Sequence, residues 1–183
     1  MAIKDVQEIL TLMADRGNTA YFGERISILE HSLQCAYFAE RDETSARAIT
    51  AALLHDIGHL LHGLPEDIVE QGNDGLHEEL AAIYLEPWFG EDITTPIRMH
   101  VAAKRYLCSV EPGYLSQLSP ASVDSLNVQG GPMNRDEVDA FEAQPYSDLA
   151  VQLRRWDDEA KIPNFEAPRL EHYLPHLRLS ARK

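Results

Sequence analysis

Residues 51–58 read Ala-Ala-Leu-Leu-His-Asp-Ile-Gly, so the His55 imidazole and the Asp56 carboxylate stand side by side in the most apolar run of the chain. Burying both without partners would cost roughly 1–3 kcal/mol per unsatisfied group. A metal satisfies them well, because a carboxylate can bridge two ions while the imidazole binds one. A hydrogen-bonded His-Asp pair would suffice for a lone dipeptide, but this one has company. His31 shares a helical face with Ile28, Gln34 and Cys35 and points inward. His77 opens a helix after a polar stretch, and His100 lies beside Ile97 and Ala103 on another inward face. Asp157 falls four residues after Leu153 and eight after Leu149, on a buried stripe. Asp158 falls four after Arg154, where an exposed ion pair would explain it. Each histidine alone is read as readily as an ordinary core or surface residue; four of them and two acids on converging faces favour a metal site.

A second group suits an anion. Lys104 lies one turn after His100, on the same helical face. Ser122, Ser125 and Gln129 recur at three and four residues along a helix that Ser119-Pro120 would start. An ammonium, two hydroxyls and an amide near a helix N-terminus suit a phosphate or phosphonate group, although a solvated lysine and a polar stripe are the plainer alternatives.

The elements that must position these residues are helical. Apolar spacing predicts helices up to Gly17, over residues 26 to about 40, 44–59, 77–85, 95–110, 119–127, 136–143 and 146–160. Residues 60–76 read as a loop. Pro163, Pro168 and Pro175 suggest a tail with little regular structure. Strand signals are nearly absent, so the expectation is an all-α single domain spanning 1–183, its metal-binding core at about 21–160. At 183 residues, 44% hydrophobic and 25% charged, the chain has enough apolar material for a real core. A formal charge of −14 argues against nucleic acid or an anionic membrane as partner. No apolar run reaches the ~18–20 residues of a membrane span, and the first residues carry acids where a signal peptide is apolar. Two cysteines, Cys35 and Cys108, make no disulfide framework. These features suggest a reduced, cytoplasmic protein.

The order His31, His55-Asp56, Asp157 resembles the HD-domain superfamily, an all-α fold that binds metal through H…HD…D. With His77 and His100 inserted, it is similar to the dinuclear branch. Tyr21-Phe22-Gly23-Glu24, seven residues ahead of His31, resembles a narrower group still: the mixed-valent diiron oxygenases that cleave 1-hydroxyphosphonates. The likeness runs from about Tyr21 to Asp157.

This resemblance implies two iron ions in the Fe(II)/Fe(III) state. His31, His55, Asp56 and Asp157 would hold one, and Asp56, His77 and His100 the other, with Asp56 bridging. It implies that Tyr21, accompanied by Glu24, plugs the open position until substrate arrives. His59, Lys104, Ser122, Ser125 and Gln129 would hold the phosphonate. The substrate would be 2-amino-1-hydroxyethylphosphonate or its N-trimethyl analogue, cleaved with O2 to phosphate and glycine or glycine betaine. No protein partner is evident. Tyr21, Glu24, Asn73 and Asp74 lie near loops suited to the amino end, though no spacing assigns them. A metal-dependent phosphohydrolase is the alternative, since it uses the same metal ligands and Lys104 but leaves the Tyr21 motif unexplained. A sensor or scaffold that has lost catalysis is the third reading, and such domains usually lack ligands that this chain retains.

Overall fold

Local sequence starts most of the helices. In the computed structural model, which describes residues 5–21, 23–61 and 76–182, Ser27 accepts a hydrogen bond from the Glu30 amide while Glu30 accepts one from the Ser27 amide. This reciprocal cap starts α2 (Ile28–Arg41). Asn134 and Glu137 repeat it ahead of α7 (Arg135–Glu142). Ser45 caps α3 (Ala46–Leu54), and Ser119 with Pro120 opens α6 (Pro120–Val128). The remaining helices are α1 (Gln7–Arg16), α4 (His77–Leu85), α5 (Glu91–Val110), α8 (Ser147–Glu159) and α9 (Leu174–Ser180). The Ala20–Ser27 bridge is the one β-pairing among the described residues. No helix among them is long and apolar enough to cross a membrane.

α3 is the centre of the bundle. Every residue from Ala48 to Leu54 is buried, and the helix packs against α2, α5, α8 and α9. α5 and α8 lie along one another, as do α4 and α5. All the elements that carry the candidate ligands therefore meet on α3 or on a direct neighbour of it.

Three sequence expectations need correction. The helix expected over 44–59 ends at Leu54, and after a turn at His55 and Asp56 a short 3-10 helix, Ile57–Leu60, follows. Apolar periodicity cannot see this break, because both segments are buried. α5 starts at Glu91, ahead of the expected residue 95, and carries Pro96 inside it. The amide that Pro96 lacks forgoes one helical hydrogen bond, and burial of Ile93, Pro96 and Ile97 offsets the loss. The tail is also ordered: a 3-10 helix, Leu170–Tyr173, leads into α9 with Pro175 in its first turn, where proline is compatible with a helix. Tyr173 and Leu177 are completely buried in the main core. The expected loop lies almost entirely at 62–75, outside the described residues, together with Asn73 and Asp74; Phe22 is also outside them.

Candidate metal centre and anion pocket

Four imidazoles converge on one carboxylate. His31 comes from α2, His55 and Asp56 from the turn after α3, His77 from the first position of α4, and His100 from the middle of α5. The Asp56 Oδ2 atom lies 3.4 Å from Nε2 of both His31 and His55. Its Oδ1 atom lies 3.4 Å from Nε2 of His77 and 3.5 Å from that of His100. The carboxylate is 1% exposed, and neither oxygen has a hydrogen-bond partner among the described residues. Asp157 brings its Oδ1 atom, which has no hydrogen-bond partner but lies 3.5 Å from the Lys161 Nζ, to 3.4 Å from the His31 Nε2.

Backbone contacts orient three of the rings. The Nδ1 atoms of His31, His55 and His100 lie 2.8, 2.9 and 2.7 Å from the carbonyl oxygens of Ala160, Ala52 and Ile97. A carbonyl has no hydrogen to give, so each of these Nδ1 atoms carries a proton and each ring turns its Nε2 inward. The His31 and His55 Nε2 atoms lie 3.2 Å apart, and those of His77 and His100 lie 3.1 Å apart. Facing nitrogens this close share either a proton or a cation. Burial holds His55 below its usual pKa and, together with His55, pulls His100 down to about 3, so both stay neutral. Burial acts against a His31 cation too, but Cys35, Asp56 and Asp157 outweigh it and raise its pKa. Burial would push the Asp56 pKa up, yet the surrounding histidines hold it well below the carboxylate range. The donors are imidazole nitrogens and carboxylate oxygens, which suit divalent and trivalent first-row metals. The cluster fits a metal centre.

Tyr21 stacks on the His31 ring with centroids 4.2 Å apart and planes at 14°. Burial, then the Asp56 and Asp157 charges, raise its hydroxyl pKa well above 10 and keep it protonated. Glu24 accepts a hydrogen bond from the Ser119 hydroxyl at 2.6 Å, tying the Tyr21 turn to the start of α6. His59 stacks on His77, centroids 4.0 Å apart, with Nε2 3.9 Å from the Asp56 Oδ1. Gly58 is required by a close approach: a Cβ there would lie 1.9 Å from the His77 carbonyl oxygen. Gly58→Ala is therefore expected to destabilise the protein by at least about 1–3 kcal/mol and to lower its metal content by moving His77. Thermal unfolding and metal analysis of the same sample check this, and full metal occupancy would contradict it.

Beside this cluster, three basic side chains gather around two serines. Lys104 is 3% exposed and donates to the Ser125 hydroxyl at 2.7 Å. Burial, then the charge of Arg154, lowers its pKa to about 7. Lys161 donates to the Ser122 hydroxyl at 3.0 Å, and Arg154 approaches the same oxygen at 3.4 Å. Gln129 adds a buried amide oxygen with no hydrogen-bond partner. Arg154 and Lys161 also pair with Asp157 and Asp158, so three basic side chains and two serines meet two carboxylates here.

The structure thus brings His31, His55, Asp56, His77, His100 and Asp157 together, with Tyr21 against them. Lys104, Ser122 and Ser125 meet beside them, while Glu24 contacts α6. Sequence reasoning missed Lys161 and misplaced Arg154. Arg154 is buried and bridges Asp157, Asp158 and Tyr114 instead of lying on a solvated face. Part of the signal was available: Arg154 stands three residues before Asp157, on its own helical face, whereas Lys161 lies beyond the end of α8 at Glu159. Asp158 matters more than an exposed acid would. Asp158→Asn is expected to lower stability by about 1–3 kcal/mol through the buried Arg154 while sparing the metals; a change below 0.5 kcal/mol, the order of an exposed pair, would restore the solvated-face reading.

Nine helices among the described residues, folded around an H…HD…D ligand set, define an HD domain. The HD domain family model matches residues 28–157, and the chain belongs to that family. It is 44% identical over 172 residues to hydroxymethylphosphonate dioxygenase of Gimesia maris, covering 92% of this chain and 84% of that one. It is 41% identical over 160 residues to the glycine-betaine-forming [1-hydroxy-2-(trimethylamino)ethyl]phosphonate dioxygenase of Leisingera caerulea, covering 87% and 82%. An uncharacterized protein, L432, of Acanthamoeba polyphaga mimivirus is 37% identical over 174 residues, covering 93% and 79%.

Proposed function

We propose that this protein is a diiron oxygenase that uses O2 to break the carbon–phosphorus bond of a small 1-hydroxyphosphonate, releasing phosphate and the carboxylic acid derived from the hydroxyl-bearing carbon. The observation that carries this reading is the junction on α5: His100 faces the shared carboxylate, and one turn on Lys104 faces the serine pocket. A phosphonate held there places its adjacent carbon and hydroxyl at the ligand cluster. The similarity to two hydroxyphosphonate dioxygenases supports the same substrate class.

In this reading His31, His55, Asp56 and Asp157 would hold one iron and Asp56, His77 and His100 the other; when bound, the pair would supply Lewis acidity toward the substrate oxygens and one-electron activation of O2, while the substrate carbon gives up the four electrons that O2 takes overall. The chain does the rest by placement. Lys104, Arg154 and Lys161 neutralise the phosphonate dianion, while Ser122, Ser125, Gln129 and His59 orient its oxygens. Tyr21 covers the cluster from the α2 side and keeps solvent and O2 away until a substrate displaces it. Its tether from Glu24 to Ser119 ends at the helix that binds the phosphonate, so anion binding and Tyr21 release are mechanically linked. Tyr21→Phe retains the stack on His31 and loses the hydroxyl. It is expected to leave phosphonate affinity within about threefold and to speed air oxidation of the substrate-free iron at least fivefold, followed by absorbance. Oxidation at the wild-type rate would remove Tyr21 from this role.

The function is tested with iron-loaded, partly reduced protein by phosphorus NMR. The substrates are hydroxymethylphosphonate, 2-amino-1-hydroxyethylphosphonate and its N-trimethyl analogue, each with and without O2. Phosphate formed only with O2 is the expected result, and the fastest substrate identifies the specificity. Anaerobic hydrolysis of a phosphate ester, with all three phosphonates untouched, would assign the protein to the phosphohydrolases instead.

A further inference from the structure

A second cluster of metal-competent side chains lies away from this site. Glu40, in the last turn of α2, stands nine residues after His31, about 13 Å further along the helix at 1.5 Å per residue. His172, in the 3-10 helix, and His176, in α9, present their Nε2 atoms to its two oxygens. The separations are 3.0 Å from His172 to each Glu40 oxygen and 3.3 Å from His176 to Oε1. One ligand atom from each residue lies within 4.8 Å of the other two. All three remain partly exposed, with side chains 33%, 46% and 25% accessible for Glu40, His172 and His176, so an ion can reach them from solvent.

We propose that Glu40, His172 and His176 form a peripheral site for a borderline divalent cation such as Zn2+, one that pins the C-terminal helix to α2. The spacing suits it. Tetrahedral Zn2+ with ligand bonds near 2.0–2.1 Å separates ligand atoms by about 3.4 Å, and the His–Glu separations already fall close to that. Two histidines four apart, in the 3-10 helix and α9, with a carboxylate from a facing helix, supply three ligands within 4.8 Å of one another and leave a fourth position to water. Imidazole donors favour Zn2+, Ni2+ or Cu2+ over Mg2+ or Ca2+, which take oxygen ligands. The anchorage matters because Tyr173, between the two histidines, is completely buried in the core.

The competing description is a carboxylate that accepts hydrogen bonds from two imidazoles and binds no ion. Iron-loaded protein is dialysed against micromolar Zn2+ under anaerobic conditions, and zinc and iron are counted together. Wild type is expected to gain one zinc with its iron unchanged and to unfold at higher temperature. His176→Ala is expected to bind Zn2+ at least 30-fold more weakly and to lose the thermal shift, while keeping its iron and its basal activity. Glu40→Gln, which retains a hydrogen-bonding partner for both rings, is expected to weaken binding about tenfold and guards against a folding effect. Equal zinc uptake by wild type and His176→Ala would overturn the proposal. So would zinc gained only as iron is lost, or no zinc bound by wild type.

Discussion

Asp56→Asn is expected to collapse metal binding and activity together. The substitution preserves shape and removes the charge that faces four Nε2 atoms at 3.4–3.5 Å. Loss of a partner that merely supports a ligand costs about 10–100-fold in metal affinity, so loss of the shared carboxylate is expected to exceed roughly 100-fold. Turnover should fall at least 1,000-fold, since both of the proposed metal positions would lose a ligand at once. The amide also turns an NH2 donor toward one pair of rings, where it would occupy nitrogen lone pairs that a metal needs. Metal analysis and oxygen uptake measured on one preparation check both parts. Two retained irons and activity within tenfold of wild type would show that Asp56 is not the bridge.

Lys104 carries the second large effect, and it has a pH signature. Lys104→Ala is expected to raise the KM for the phosphonate about 10- to 100-fold, corresponding to ~1.5–3 kcal/mol for a hydrogen bond to a charged group, with iron content unchanged. In the folded protein its pKa falls from 10.5 to about 7, chiefly through burial. Between those values the unfolded chain binds more protons than the folded one. Stability of the substrate-free protein therefore rises with pH across that window, and the burial penalty is fully present below pH 7. Substrate binding has the opposite sign. A phosphonate dianion needs the ammonium, so above pH 7 binding must take up a proton, and 1/KM is expected to decline toward a limiting slope of about one decade per pH unit. Lys104→Arg, whose side chain stays charged, should flatten that decline. A profile of unchanged slope in the arginine variant would place the titrating group elsewhere.

Much of the molecule is legible without coordinates because its signals are local. Ser27 with Glu30, Asn134 with Glu137, and Ser119 with Pro120 start their helices through contacts no more than three residues apart. His31, His100 and Asp157 face inward because apolar neighbours at helical spacing force that face into the core. The helix break at His55 is not legible, because the residues on both sides are equally apolar and the turn depends on 57–60 packing against the start of α4. Pro96 and Pro175 mislead for a related reason: proline ends a helix only when no packing offsets the lost hydrogen bond.

The sequence by itself determined which histidines and acids could do chemistry and that His31, His100 and Asp157 stand on inward helical faces, since side-chain type and periodicity are properties of short segments. Only the tertiary structure decided that the Nε2 atoms of four rings would meet across one carboxylate, and that Arg154 would be buried between Asp157 and Asp158. It also brought Lys161 to Ser122 and Glu40 to two histidines more than 130 residues away. Those outcomes depend on how helices distant in sequence cross, and the crossings follow from the packing of the whole core around α3, which no single segment encodes.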